Sequence, residues 1–333
     1  NYTLAAGYVW SREQVRNTFI SDDSFRSFPL RRDQHGLYAE NRFQLGGRLF
    51  LTAGLRVEII DTPSIPGNAL SRRPLFPAHV TTQPNPKIAA AFAHTPSTRL
   101  HGSFGTGIRP PGGFDLAFTN NPELRPEKTR GFDAGVEQRF GRLLSLDLTG
   151  FHNRYDDLIV SLGGSLAALG SFRTANLANS RARGLELLAR FRPAAPLDLS
   201  ATYMYLATEI LSLDGSTGLA PQFFRAGQAL PRRPPHSGTL HAAYSFRRLS
   251  AHATAHFRGE TLDTEPSFGA SGGFFPNPGY TSLGLSLNYR LGPGVTLYGN
   301  LRNALNQRYE EVFGFPSPRL NFIAGMRWRL SRE

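Results

Sequence analysis

Hydrophobic and polar side chains alternate one for one along much of this chain, most plainly toward its C-terminal end. In residues 280–330, Leu283, Leu285, Leu287, Tyr289 and Leu291 share one side, while Ser282, Gly284, Ser286, Asn288 and Arg290 share the other. A period of two marks a β-strand lying between an apolar and a polar environment. After the bend Gly292-Pro293-Gly294, Val295, Leu297 and Leu301 continue the apolar side against Thr296, Tyr298, Asn300 and Arg302. Leu320, Phe322, Ala324, Met326, Trp328 and Leu330 then oppose Asn321, Gly325, Arg327 and Arg329. Earlier segments repeat the pattern. Leu144, Leu146 and Leu148 oppose Ser145, Asp147 and Thr149; Leu249, Ala251, Ala253, Ala255 and Phe257 oppose Ser250, His252, Thr254, His256 and Arg258.

The pattern predicts fourteen strands, at residues 2–14, 35–45, 48–60, 86–95, 98–108, 127–140, 142–154, 181–192, 197–209, 236–246, 249–259, 280–291, 295–303 and 319–330. Six connections are tight and rich in Gly and Pro, as turns require. Seven are long, at about 15–34, 61–85, 109–126, 155–180, 210–235, 260–279 and 304–318. Short and long connections alternate throughout. A soluble sandwich has no reason to sort its loops this way. An outer-membrane barrel has turns on one rim and loops on the other. Strands of ten or more residues also exceed the usual soluble length of about five or six. The expected fold is therefore all-β, an antiparallel transmembrane β-barrel with both chain ends on the periplasmic side.

Composition sharpens this reading. A chain of 333 residues can serve as one all-β barrel. No apolar run is long enough for a transmembrane helix, so a membrane-spanning form must be a closed barrel. Asn1-Tyr2-Thr3-Leu4 already reads as a strand, with no signal peptide before it, so the chain is expected to be part of a longer protein. The net charge of +12 comes almost wholly from arginine, with Lys87 and Lys128 the only lysines. The arginines are spread over strands and loops, which favours anionic lipid or an anionic ligand over nucleic acid. Without cysteine there is neither a disulfide nor a thiolate metal site.

Residues 104–140 carry a more specific signal. Gly105, Gly107, Arg109 and Pro111 are followed by Asn121, Pro122, Leu124, Pro126 and Glu127, then by Gly135 and Glu137. Asn176-Leu177-Ala178-Asn179, Gly184-Leu185-Glu186, Asn300-Leu301-Arg302-Asn303-Ala304-Leu305-Asn306, Tyr309 and Gly314-Phe315-Pro316-Ser317-Pro318-Arg319 follow in order. This ordered set resembles the barrel signature of TonB-dependent outer-membrane receptors. The resemblance implies the C-terminal part, residues 1–333, of a 22-stranded barrel, with fourteen strands here and the plug domain and N-terminal strands absent. Two features depart from the family pattern: Ser317-Pro318-Arg319 lacks the frequent Gly before Arg, and the chain ends past its last aromatic, Trp328.

Several residues invite a functional reading. Arg109, Phe114, Phe118, Phe223, Phe224, Arg225, Arg232, Phe274 and Phe275 combine aromatic and cationic groups in the long loops, with Arg233 beside them. Aromatics give flat, low-entropy contact and arginine gives charge for an anionic ligand. The alternative is an interface girdle or lipopolysaccharide contact. A two-residue turn at Arg247-Arg248 sets Ala243 opposite His252 and His241 opposite Thr254, so His241, His252 and His256 share the luminal face. Three imidazoles could bind a metal, but no carboxylate support is visible, and a polar wall is preferred. Glu137 and Glu186 are expected to face the lumen and pair with arginines. Asn121 to Glu127 reads as turn and strand entry rather than as a site.

No catalytic constellation or cofactor motif stands out, so no enzyme and no cofactor is expected. The resemblance implies TonB-energised uptake of a scarce chelate such as a ferric siderophore or cobalamin. It implies a TonB complex acting through the plug, outer-membrane lipid and lipopolysaccharide around the wall, and a monomer. The alternative is a passive pore or structural barrel.

Overall fold

The computed structural model describes residues 1–21, 24–67, 74–117, 121–163, 173–213, 223–265 and 269–329. Fourteen antiparallel strands form one sheet in chain order. They are β1 (Tyr2–Ser21), β2 (Ser24–Leu45), β3 (Leu49–Thr62), β4 (His79–Ala93), β5 (Thr98–Arg109), β6 (Glu127–Phe140), β7 (Leu144–Gly163), β8 (Arg173–Ala194), β9 (Leu197–Ser212), β10 (His236–Phe246), β11 (Leu249–Arg258), β14 (Tyr280–Gly292), β15 (Val295–Arg302) and β18 (Asn321–Trp328). A one-turn helix α1 (Gly113–Ala117) follows β5. Two small hairpins, β12 (Thr261–Glu265) with β13 (Gly269–Asn277) and β16 (Glu310–Val312) with β17 (Phe315–Pro316), stand outside the sheet. β1 and β18 each have a single neighbour, so the wall is not closed.

All fourteen expected strands are present, and the connections sort as the alternation predicts. Short bends join β2–β3, β4–β5, β6–β7, β8–β9, β10–β11 and β14–β15 on one rim. Two of the expected loops are largely strand. β1 and β2 pair continuously from Tyr2↔Phe43 to Ser21↔Ser24, so 15–34 is a tall hairpin. β7 and β8 pair as far as Gly163↔Arg173, well into the expected 155–180 loop. The reason is physical. Beyond the lipid neither face of a strand needs to be apolar, so pairing continues while the two-faced pattern stops.

The apolar faces are not buried against one another. Leu285, Leu287, Tyr289, Leu291, Leu297, Phe322, Met326 and Trp328 are all exposed on one side of the sheet. Among the described residues just twelve apolar side chains are buried. A water-soluble domain of this size would leave far fewer large apolar groups bare. Facing hydrocarbon, the same groups are solvated.

The buried residues cluster instead beyond the wall, on the loop rim. Ala175 and Leu177 of β8, Ile210 of β9, Phe224 and Leu230 form one core, with Leu158, Val160, Phe223 and Phe274 packed on it. Leu30 of β2, Ile65, Phe76 and Leu116 of α1 form another. Among the described residues the loops thus carry small soluble-type cores while the wall carries none.

The two faces predict opposite responses. Leu287→Arg, near the middle of the apolar band, should destabilise the inserted barrel by about 2–4 kcal/mol. Ser286→Arg, one residue away on the polar face, should change it by less than about 1 kcal/mol. Unfolding in lipid vesicles, followed by heat-modifiable electrophoretic mobility, measures both. Equal effects would contradict the assignment of faces.

Candidate functional site

The motif residues of the loop rim act on one another. Arg109, last in β5, lies directly opposite Glu127, first in β6. Its Nε and a terminal nitrogen donate to the two Glu127 carboxylate oxygens at 2.6 and 2.7 Å, and another reaches Asp115 at 3.2 Å. Glu127 also accepts the Ile159 N–H at 2.7 Å. The two halves of the 104–140 signature are therefore joined by one bidentate pair. Asn176, buried in β8, donates to the Arg125 and Asp157 carbonyls and accepts the Arg125 N–H. Asn303 and Asn306 adopt positive φ of 48° and 52°, and their side chains hold Gln307, Arg319 and Leu320. Gly135 lies under the His101 ring, and Gly184 lies against the Tyr205 carbonyl, where a Cβ has no room. These residues are structural, as the sequence suggested for Asn121 to Glu127. Glu137 pairs with Arg139 and Arg99 as expected. Glu186 does not: it has no ion-pair partner among the described residues, because Met204 and Thr149 occupy its cross-strand positions.

A second assembly ties three loops together. Asp263 of β12 is fully buried. It accepts hydrogen bonds from Arg232 Nε at 2.5 Å, the Thr264 N–H at 2.8 Å, the Phe313 N–H at 2.9 Å and Asn277 at 3.2 Å. The Arg232 backbone N–H also donates to the Leu262 carbonyl at 2.7 Å. Burial works against the carboxylate, but the four donors outweigh it and hold its pKa below the ordinary value. Rings pack around this clasp. Phe224 meets Phe274 edge-on at 5.3 Å, and Phe275 stacks on Phe313 at 5.0 Å. The β9–β10 loop, the β12–β13 hairpin and the β16–β17 hairpin thus share one centre.

Below the clasp the luminal face of β7–β11 and β14 opens into a hollow of about 840 Å³. Tyr280 and Tyr309 stack at 4.0 Å at its upper end, with the Arg258 guanidinium 5.1 Å from the Tyr280 ring. Arg258 is fixed from behind by the Glu310 and Glu311 carbonyls. Glu186, Thr239 and His256 line the hollow below. Flat rings, a held cation and polar side chains suit a mid-sized, hydrophilic, partly anionic molecule.

The sequence-derived residues therefore divide. Phe224 and Phe274 are core, with Phe223 packed on them, and Arg232 and Phe275 belong to the clasp. Arg109 is committed to Glu127 and Asp115. Arg225 is exposed and its guanidinium carries no ion pair among the described residues. Phe114 lies in α1, but its side chain, and all of Phe118, lie outside the described residues. The expected register Ala243↔His252 and His241↔Thr254 is present. The His241 and His252 rings stack at 5.9 Å, whereas His256 is hydrogen-bonded to Thr239 at 3.0 Å. Among the described residues no group of three or more His, Asp or Glu side chains is placed to hold a metal. Sequence reasoning missed Asp263, Asn277, Arg258 and Tyr280. The available signal was weak: Tyr280 and Arg258 each end a strand at the loop rim.

Comparison with known proteins bears on the whole chain. Residues 1–304 match the family described as TonB dependent receptor-like, beta-barrel. The metal-pseudopaline receptor CntO of Pseudomonas aeruginosa is 27% identical over 233 residues, covering 68% of this chain and 30% of its own length. The vitamin B12 transporter BtuB of Vibrio vulnificus is 21% identical over 332 residues, 98% of this chain and 47% of that protein. The copper transporter OprC superposes with a TM-score of 0.76 at 18% identity, covering 98% of this chain and 54% of that one. The chain thus spans about half, or less, of the length of these relatives.

The clasp carries a prediction. Asp263→Asn removes the charge that four donors surround, so it should cost about 1–3 kcal/mol of local stability. Hydrogen exchange at the Phe313 and Thr264 amides should quicken by roughly one to two orders of magnitude. Because the folded pKa lies below the free value of 3.8, the stabilisation is complete above that value. It is lost as pH falls through the folded pKa, so wild type should approach the variant in acid. Unchanged exchange at both amides would remove the clasp from the account.

Proposed function

The chain belongs to the TonB-dependent receptor family of outer-membrane β-barrel proteins, and on that premise we propose that it forms the ligand-capturing wall of an energised importer. The substrate class is a scarce metal chelate, such as a ferric siderophore or a cobalamin. Two of the relatives named above are a metal-pseudopaline receptor and a vitamin B12 transporter, which supports this reading. The observation that carries it is the hollow beneath the clasped loops, with the Tyr280–Tyr309 stack and Arg258 at its mouth.

On this reading the protein is a transporter and not an enzyme. The chain supplies fourteen strands of a 22-stranded barrel, and a plug domain lies outside it. Loops and upper lumen take the ligand, arginines offset its charge, and TonB acts on the plug to release it inward. The wall works as a monomer among outer-membrane lipids. Arg225 and Arg233 give the first contact, since both are exposed and neither carries an ion pair among the described residues. Arg109 stiffens the β5–β6 entry. The apolar hollow over Leu285, Leu287, Tyr289 and Leu297 lies on the lipid-facing side and plays no part.

Growth of a deletion strain on single iron-chelate or cobalamin sources tests the substrate class. Restored growth should require both the full-length protein and functional TonB. Passive conductance with uptake independent of TonB would favour a pore instead. Arg225→Ala with Arg233→Ala should weaken capture of an anionic chelate by about threefold to fivefold, leaving barrel yield unchanged. Arg109→Ala should lower the yield of folded barrel more than it lowers affinity.

A further inference from the structure

The luminal face treats its carboxylates in two ways. Glu40, Glu58, Glu137 and Asp198 each meet an arginine, namely Arg42, Arg56, Arg139 and Arg192 in turn. Asp147 meets the His101 ring at 3.4 Å. Glu186 differs from all of these. It is exposed, it lines the luminal hollow, and it has no ion pair among the described residues. Its in-register neighbours are the uncharged Thr149 and Met204. Gly184 and Leu188 flank it two residues away on β8, while Arg181 and Arg183 belong to the opposite face of that strand.

The row through Glu186 continues along the wall of the hollow. Glu186 stands opposite Met204, Met204 opposite Ser237, Ser237 opposite Arg258, and Arg258 opposite Tyr280. Three strand spacings, about 14 Å, separate the Glu186 backbone from that of Arg258. Arg258 also lacks an ion pair among the described residues, since its terminal nitrogens donate to the Glu310 and Glu311 carbonyls. Met204 and Ser237 between them carry no charge. The hollow of about 840 Å³ therefore has a negative end at β8 and a positive end at β11. Asp147, diagonal to Glu186 through Leu188, strengthens the negative end. His256 is bonded to Thr239, and Glu311 lines the mouth, tempering the positive end without pairing with Arg258. Charges held in a low-dielectric wall attract their opposites more strongly than charges in open water. A guanidinium takes a carboxylate or phosphate, and a carboxylate takes a protonated amine.

We propose that Glu186 is a specificity residue of this hollow, holding a protonated amine of a zwitterionic ligand whose anionic end lies against Arg258. The inference rests on the reading that the hollow receives the ligand, and it narrows the ligand class. A purely anionic chelate meets repulsion at Glu186. A chelate with a basic group at one end and an acidic group at the other satisfies both poles, with its middle over Met204 and Ser237.

The first test reads the polarity and needs no ligand. This chain has no cysteine, so single thiols are introduced at Met204→Cys and at Ser237→Cys in a full-length receptor free of other cysteines. Each is modified with a trimethylammonium and with a sulfonate methanethiosulfonate reagent. At position 204 the cationic reagent should react about tenfold faster than the anionic one, as expected beside an unneutralised carboxylate. At position 237, opposite Arg258, that ratio should fall by roughly threefold or more. Glu186→Gln should abolish the preference at 204 and leave the ratio at 237 nearly unchanged. Equal ratios at the two positions, no effect of Glu186→Gln, or protection of both thiols from both reagents would each overturn the subsite; the last would mean that the floor is closed by the plug.

The second test measures TonB-dependent uptake of a ferric linear trihydroxamate bearing a terminal amine and a terminal carboxylate. Its N-acetylated form is the control. Wild type should take up the free-amine form about fivefold faster, near the strength of one exposed ion pair, and Glu186→Gln should take up both forms equally. A preference that survives in Glu186→Gln would overturn the assignment. Uptake of neither form would count against the chelate reading above, while the labelling ratios still decide the subsite.

Discussion

In hydrocarbon a peptide N–H or C=O has no partner except another peptide group. Everything in this chain follows from meeting that demand with strands. Fourteen segments pair in sequence order, each bonding the next, so the backbone is satisfied wherever the wall is exposed to lipid. The side chains are then free to differ by face. Across β11 and β14, Leu283, Leu285, Leu287, Ala251, Ala253 and Ala255 share the lipid side, while Ser282, Ser286, Asn288, His252, Thr254 and His256 share the luminal side. A soluble protein buries its apolar residues in a centre. This wall has none, and its buried cores appear only where the chain rises out of the membrane.

That division decides what the sequence could reveal. A strand between lipid and lumen must alternate, so all fourteen were legible from periodicity alone, and the Arg247-Arg248 turn fixed the histidine register across β10 and β11. The tall tip of β1–β2 and the small hairpins β12–β13 and β16–β17 touch no lipid. No two-faced pattern was imposed on them, and they read as loops. The loop residues fared worse for a different reason. Arginines and phenylalanines signalled a binding surface, but their partners lie far away in sequence. Arg232 and Asp263 are 31 positions apart, and Arg109 and Glu127 are 18. Only the folded chain shows which cations are already neutralised.

The family signature also gains a physical account. Arg109 and Glu127 close the β5–β6 entry, Asn176 braces the β7–β8 extension, and Asn303 and Asn306 set the approach to the last strand. Gly135 and Gly184 let a ring and a carbonyl lie flush on the luminal face. They hold the rim in shape, whereas the exposed Arg225 guanidinium has no ion pair among the described residues.

The clasp at Asp263 has one more implication. Three segments that would otherwise fluctuate separately are fastened at a single carboxylate, so they behave as one lever. A force on any of them would shift all three together. A contact made by one would then freeze one collective motion instead of three independent ones, and its entropic penalty would be correspondingly smaller.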